Sequence, residues 1–418
     1  MSVPASVVEN NRIVDGGRKR YALVGTGDRG LEMFAHGILT AHPDVADLVG
    51  LYDVNPIRVE AARRLLGRMD IPGFDSFDAL MAGATPDTVI VASKDSTHST
   101  YIVAAMQAGV DVITEKPMTI DDVTCREILA AERDTGRSLR VAFNYRYSPY
   151  FTKAKELLAT GAIGEVLSVD FHWYLDTRHG ADYFRRWHRR MENSGGLFVH
   201  KATHHFDLVN WWLADRPEAV LASGALRFYG PTREERGERC MTCAHRATCE
   251  FSWDVTADNE FRALYVEAEP GDGYHRDGCV FDPEIDIYDT MAAIVRYERG
   301  ATMSYSLNAH MTYEGMRAAF NGRAGRMELE AIESWDRPDD EIRVYRFDGS
   351  CETTRVPRTP EGHGGADERL LEHLFRGWDE DPLGHAASAT DGAYSILVGV
   401  AANRSARSGG WVRIRDLL

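Results

Sequence analysis

The stretch Tyr21–Gly30, YALVGTGDRG, restricts this chain more than any other. A short apolar run, Tyr21 to Val24, breaks directly into Gly25-x-Gly27-x-x-Gly30, and a helix-prone segment follows. Strand, glycine turn and helix in that order form the dinucleotide-binding fingerprint. Gly25 allows the tight turn, Gly27 lets the backbone approach a pyrophosphate, and Gly30 lets the helix pack closely on the strand. The phosphates of such a ligand sit against the unpaired N–H groups of the helix start, so Thr26, Asp28 and Arg29 join the glycines as candidate cofactor contacts.

A second signal supports the first. Asp47–Asp53, DLVGLYD, reads as the next strand and ends in an acid 23 residues beyond Gly30. A carboxylate there accepts hydrogen bonds from the adenine-ribose hydroxyls of NAD and repels the 2′-phosphate of NADP. Asp53 therefore favours NAD, although Arg58 lies close enough in sequence to leave NADP open. The competing reading is a Rossmann-shaped domain with an empty crevice.

At 418 residues the chain is too long for one ordinary core, and two domains are expected. Hydrophobic residues at 44% describe a globular protein rather than a disordered one. No apolar run approaches the ~20 residues of a membrane span. Residues 1–19 hold no apolar core of signal-peptide length, so a short disordered leader and a cytoplasmic protein are expected. The net charge of −16 argues against a nucleic-acid partner, which would want a basic face.

Residues 20–145 read as an α/β domain. Apolar runs at Tyr21–Val24, Val49–Tyr52, Thr88–Ala92, Asp111–Thr114 and Arg140–Phe143 alternate with amphipathic stretches such as Arg58–Arg68 and Thr97–Ala108. That rhythm predicts a parallel sheet covered on both faces. After Tyr145 it changes. Val166–Tyr174, Met291–Tyr297, Ala301–Leu307 and parts of Val220–Tyr229 and Ile342–Phe347 alternate in polarity, which predicts half-buried antiparallel strands over residues 146–418. Residues 232–279 are polar, cysteine-bearing and weakly periodic, and read as an insertion.

Two loops fall where an open parallel sheet binds its ligand. Ser93-Lys94-Asp95-Ser96-Thr97-His98 follows one strand and Glu115-Lys116-Pro117 the next. Lys116, between a glutamate and a proline, either steadies an alkoxide as hydride leaves or simply caps a loop at the surface. Further on, SGGLFVHKATHHFDLVNWWL at Ser194–Leu213 places Val199, Ala202, Phe206, Val209 and Leu213 on one helical stripe. His200, His204 and Asp207 fall on the opposite face, with Lys201 at its edge. Such a cluster serves as a general acid–base site, a metal site or a solvated face, and an aspartate behind a histidine can orient the imidazole for proton transfer.

Gly25-x-Gly27-x-x-Gly30, Asp53, His98, Glu115-Lys116-Pro117, Asn144-Tyr145-Arg146 with Pro149, and Gly195-Gly196 through His204 and Asp207 resemble the glucose–fructose oxidoreductase / inositol dehydrogenase / MocA family over most of the chain. The resemblance implies a Rossmann domain followed by an α/β domain with an open, mainly antiparallel sheet. It makes Lys116 the catalytic lysine and His204 the proton-transferring histidine. Ser93, Lys94, His98, Glu115 and Asn144 become cofactor neighbours. The family often has aspartate four residues before the histidine; His200 stands there here, with Lys201 beside it, so one of these must replace a carboxylate. Ser93-Lys94 also replaces the usual Thr-Pro. A homodimer or homotetramer through the exposed sheet face is expected by resemblance only.

Two features are unlike the plain family. Asp176–Arg190, DTRHGADYFRRWHRR, packs five arginines and two histidines just before the catalytic helix. In so acidic a chain this points to an anionic substrate or to structural ion pairs with the surplus acids. Arg146, Tyr147, Arg178, His179, Arg185, Arg186, Trp187 and His205 are the candidate substrate contacts. The second feature is Cys240-x2-Cys243-x5-Cys249 with Cys279 further on, which predicts a structural zinc, with an iron–sulfur cluster or free thiols as alternatives. The chain is thus read as an NAD-dependent oxidoreductase acting on a ring hydroxyl of a pyranose or pyranoside. A redox-neutral NAD-dependent glycosidase, acting for instance on a sulfoquinovoside or uronide, is the alternative, and a non-catalytic NAD-binding sensor the third reading.

Overall fold

In the computed structural model residues 17–333, 337–359 and 362–418 are described; most of the expected leader, residues 1–16, lies outside them. Six strands, β1 (Lys19–Val24), β2 (Ala46–Tyr52), β3 (Gly73–Phe74), β4 (Thr88–Val91), β5 (Asp111–Thr114) and β6 (Leu139–Val141), pair in parallel in the order β3-β2-β1-β4-β5-β6. The order reverses between β1 and β4, the switch point at which loops diverge and leave a crevice. Its helices start on side-chain caps. Asn55 accepts from Ile57 N and Arg58 N ahead of Pro56–Leu65, Ser76 caps Phe77–Ala84, and Asp121 caps Asp122–Thr135. After the glycine turn the chain winds instead as two wide π-type helical segments, Gly30–Ala35 and Gly37–Ala41.

Nine further strands form the second sheet: β7 (Val166–Asp176), β8 (Pro217–Ala225), β9 (Thr290–Tyr297), β10 (Thr302–Met311), β11 (Gly315–Gly322), β12 (Gly325–Ile332), β13 (Asp339–Tyr345), β14 (Cys351–Pro357) and β15 (Val412–Arg413). Their order is β14-β13-β12-β11-β7-β10-β9-β8-β15, and every pairing is antiparallel except β7 with β10. The expected alternation is present. Val169, Phe171, Trp173 and Leu175 of β7 are buried beside Met303, Tyr305 and Leu307 of β10, while Asp170 and Ser304 look outward. The sequence reading lacked β3, β11, β12, β14 and β15, and of Val220–Tyr229 the strand takes only the part up to Ala225.

Against the inner face lie the helices Ala202–Leu213 and Ala389–Ser408. The latter is held at its start by a Ser388–Asp391 capping box and is buried almost all round. At Gly399 a Cβ would stand 2.2 Å from Phe198 O, so only glycine lets this helix abut the turn that carries His200. The chain also returns to the first layer: helix Gly362–Arg376 sets Leu370, Leu374 and Phe375 into one core with Tyr21 and Phe34. The two sheets are thereby bound by more than the crossing near residue 145.

The main polar tie is Arg146 with Asp207. Two N–H groups of the guanidinium meet the two carboxylate oxygens at 2.8 and 2.6 Å, and both side chains are buried. Gly384 O and Asp391 occupy its remaining reach. Burial alone would drive the Asp207 carboxyl far up; the arginine beside it holds the rise to about 6. Arg146→Met strands that carboxylate and is expected to cost about 3–5 kcal/mol, read as a lower denaturant midpoint. A loss below about 1 kcal/mol would contradict the pairing.

Candidate active site

The loops at the carboxyl ends of β1, β2, β4 and β5, the turn before Ala202–Leu213 and part of the 226–289 insertion enclose a cleft of about 850 Å³. At one end stands the glycine turn. Gly25 has φ +94°, and a Cβ there would lie 2.5 Å from Ala92 O. A Cβ on Gly30 would lie 2.2 Å from Gly25 O, which explains why glycine stands at both positions. Gly27 differs: its Cβ would meet only the Tyr265 hydroxyl at 3.4 Å, so the bare backbone there faces the cleft. Asp53 is fixed at the end of β2. Its carboxylate accepts from Thr26 N, Asn55 N and Arg58, all at 2.9 Å. Arg58 is spent on Asp53 and Asp272, with its Nε on Leu264 O, so it is not available to a 2′-phosphate. An open glycine backbone beside an oriented ribose carboxylate fits NAD.

The other cofactor candidates take distinct roles. Ser93 and Lys94 line the cleft, but His98 sets its ring between two main-chain carbonyls, Pro117 O at 2.8 Å and Ser93 O at 3.0 Å, and its single N–H donates to one of them. It ties the two loops together. Thr26 is buried behind Asp53. Glu115, Arg29 and Asn144 form a chain: Arg29 donates to Glu115 at 2.8 Å and to Asp367 at 3.0 Å, and Asn144 donates to the same Asp367 at 2.7 Å. His363, which the glycine-rich turn returns to the cleft, also bonds Asp367, whose carboxyl these partners hold far below its ordinary range.

Lys116 and His204 line the same cleft. Burial, helped by Lys201 and Arg29, pushes the Lys116 ammonium down to about 8 against the opposing pull of Glu115 and Asp95. Burial, then the charges of Lys116 and Lys201, hold His204 well below the ordinary histidine value, so its ring is neutral near pH 7. The ring stacks on Tyr145, centroids 4.2 Å apart, and Lys201 Nζ donates to the Tyr145 hydroxyl at 3.0 Å. His200 Nδ1 sits 2.5 Å from Asp95 Oδ2. Burial pushes Asp95 up and His200 down, so one proton bridges the pair.

Several expectations need correction. The Ala202–Leu213 helix has no solvated polar face, because both its faces are buried. Asp207 orients Arg146, not a histidine; the carboxylate behind an imidazole is Asp95, on a loop from the first domain. His205 is a core residue, stacked on Trp173 and bonded to the Tyr305 hydroxyl. Arg146 and Tyr147 are buried outside the cleft, Tyr147 against His373, and Arg178 is exposed. Arg185 points toward the cysteines. Of the basic segment, His179, Arg186 and Trp187 do reach the cleft, with His188 added. Asp95 from the first ligand loop and Tyr183 also line the wall, as do Tyr265, Asp272 and Arg276, which the sequence reading did not single out.

Asp95, His188 and His200 bring donor atoms within 4.8 Å of one another, a possible cation triad. Lys116 and Arg186 press on both histidines, with Arg276 bearing on His188 and Lys201 on His200, so another positive charge is opposed there. Within the group only Asp95 and His200 are hydrogen-bonded. The expected zinc site is also not formed as a tetrahedron: among the described residues no three of Cys240, Cys243, Cys249 and Cys279 place their sulfurs within 4.8 Å of one another. Tetrahedral zinc–thiolate bonds of about 2.3 Å need sulfurs about 3.8 Å apart.

A glycine-turn dinucleotide crevice joined to a lysine and a neutral histidine defines a class, the NAD-binding oxidoreductases. The chain belongs to the Gfo/Idh/MocA family: residues 19–143 match its NAD-binding Rossmann fold and residues 155–414 its C-terminal alpha/beta domain. It is 42% identical over 407 residues to a protein of Bacillus subtilis (strain 168) assigned as an oxidoreductase, YteT, covering 91% of this chain and 94% of that one. An inositol 2-dehydrogenase of Rhizobium meliloti (strain 1021) is 30% identical over 207 residues, which is 50% of this chain and 58% of that one. A levoglucosan dehydrogenase solved with NADH and levoglucosan shares the fold at TM-score 0.69 and 19% identity, over 95% of this chain and 100% of that one. No helix among the described residues is long and apolar enough to cross a membrane.

Two outcomes are expected. Asp53→Ala should weaken NAD binding about tenfold or more and narrow its preference over NADP, measured by fluorescence titration. If Lys116 acts as an ammonium, kcat/KM for NAD reduction should hold level up to about pH 8 and fall above it as the proton leaves. The acid limb, set by His204, should lie below the ordinary histidine range. Lys116→Met should cut kcat/KM by about 10²–10⁴ and abolish the alkaline limb.

Proposed function

We propose that the protein is an NAD-dependent oxidoreductase acting on a ring hydroxyl of an anionic pyranose or pyranoside. The observation that carries this reading is the convergence of Lys116 and His204 on one cleft with the glycine turn. NAD, when bound, supplies the hydride acceptor. His204, neutral through burial, accepts the hydroxyl proton, and the Lys116 ammonium steadies the oxyanion that develops. Lys201 holds the Tyr145 ring on which His204 stacks, and the Asp95–His200 pair can pass the proton onward. The sugar class draws support from the levoglucosan and inositol dehydrogenases among its relatives.

The anionic character rests on two arginines. Arg186 and Arg276 both reach the cleft wall, and both pair with the single carboxylate of Asp182, at 2.9 and 2.6 Å. Two guanidinium forks on one paired carboxylate, with Asp28 and Asp95 as further acids of that wall, suit a carboxylate or sulfonate presented by the substrate. Arg189 and Arg190 of the same segment are structural, pairing with Asp282 and with Glu284.

A second reading is favoured by the surplus of acid–base groups. The Asp95–His200 pair and His188 exceed what a single hydroxyl oxidation needs. A redox-neutral glycosidase would use them: His204 to remove the proton made acidic beside the oxidised carbon, and Asp95–His200 to protonate the departing aglycone. Incubation with NAD and aryl glycosides of a uronic acid, a sulfo-sugar and a neutral hexose separates the readings. Net NADH with an intact glycosidic bond supports the dehydrogenase; aglycone release without net NADH supports the glycosidase. No turnover of any of them would contradict both. Arg186→Ala should raise KM for the anionic substrate about tenfold or more while leaving a neutral analogue nearly unchanged.

A further inference from the structure

Between β8 and β9 the chain leaves the sheet for residues 226–289, and its four cysteines are gathered there by backbone pairing. Cys243 N donates to Cys240 O and Cys249 N to His245 O, closing one tight loop. Cys279 arrives on the facing segment, where Cys279 N donates to Glu238 O and Cys240 N to Asp277 O, both at 2.9 Å. The four thiols line one small cavity, and none forms a disulfide. No three of their sulfurs stand within 4.8 Å of one another, wider than tetrahedral zinc's about 3.8 Å, and a cluster in which each thiolate binds a different metal atom is the group that asks for wider separation.

The charge at the cavity points the same way. Arg185 is buried and donates to Cys240 Sγ at 3.1 Å and, through its other terminal nitrogen, to Phe251 O. No carboxylate pairs with it among the described residues, unlike Arg239, which is held by Glu269 and Asp277. A buried guanidinium without a counter-anion is costly, and a neutral thiol does not supply one. A metal-bound thiolate does, and an N–H group directed at its sulfur is a common outer contact of such centres.

We propose that Cys240, Cys243, Cys249 and Cys279 bind a [4Fe–4S] cluster that staples the insertion over the dinucleotide crevice. The segment it would secure grips the first domain. Asp28 N donates to the Tyr265 hydroxyl at 3.0 Å, Asn55 Nδ2 to Ala268 O at 2.7 Å, and Arg58 pairs with Asp272 at 2.7 Å. The insertion's Val280 and Phe281 pack into the second-sheet core and its Leu264 into the first-domain core, so binding energy at the cysteines is folding energy for this flap. The role is structural, and no electron transfer is assigned to it. The inference is independent of which sugar the enzyme takes.

The test is metal and acid-labile sulfide analysis of the full chain purified without oxygen, with its visible absorption and the EPR spectrum after reduction. About four irons and four sulfides per chain are expected. One zinc without sulfide would overturn the cluster, and so would a chain that holds no metal and takes up neither iron nor sulfide on reconstitution. Cys243→Ser with Cys279→Ser should lose the iron, while Cys351→Ser, exposed on β14, should keep it. Unchanged iron in the double variant would refute the assignment. Should that variant not fold, removal of iron from the native chain by oxidation and chelation is expected to weaken NAD binding about tenfold; unchanged affinity would refute the stapling role.

Discussion

A lysine taken out of water at the mouth of a parallel sheet is the constraint around which the rest of this molecule is arranged. Burial opposes the charge of Lys116, and Lys201 and Arg29 oppose it further, while Glu115 and Asp95 keep it from being lost. The outcome is an ammonium poised near neutrality rather than one fixed by a tight ion pair. The same desolvation strips His200 and His204 of their tendency to protonate. One physical effect thus prepares both an electrophilic cation and neutral bases in a single cleft.

That balance depends on scaffolding remote from the chemistry. The buried His98 ring packs between a carbonyl of the loop after β4 and a carbonyl of the loop after β5. Gly399 lets the long C-terminal helix press on the turn bearing His200. Arg146 and Asp207, which supply no group to the cleft, pin the helix bearing His204 to the segment that carries Tyr145. Asp367 reaches back from the C-terminal region to hold Arg29 and Asn144. The cleft is therefore shared by both halves of the chain.

What could be read from sequence was what is local. The glycine turn, Asp53 and the Glu115-Lys116-Pro117 loop announce themselves within a few residues, and strong alternation marks β7, β9 and β10. The two-residue β3 carries too little pattern to see, and β14 is exposed along most of its length, which removes the alternation. The helix bearing His204 misled for a different reason. Thr203, His205 and Asp207 are buried against partners that lie 61 to 192 residues away, so periodicity left open a solvated face that does not exist. Asp95 behind His200 and Tyr265 over the glycine turn are contacts between distant segments, which one sequence without its fold does not reveal.

The central claim is that Lys116 and His204 act on the same substrate hydroxyl. A double-mutant cycle on kcat/KM for NAD reduction, using Lys116→Met, His204→Ala and the pair together, tests it most directly. Groups serving one transition state should be strongly non-additive, the double variant losing little more than the worse single one. Losses that simply add, or a His204→Ala enzyme as fast as the parent, would contradict it.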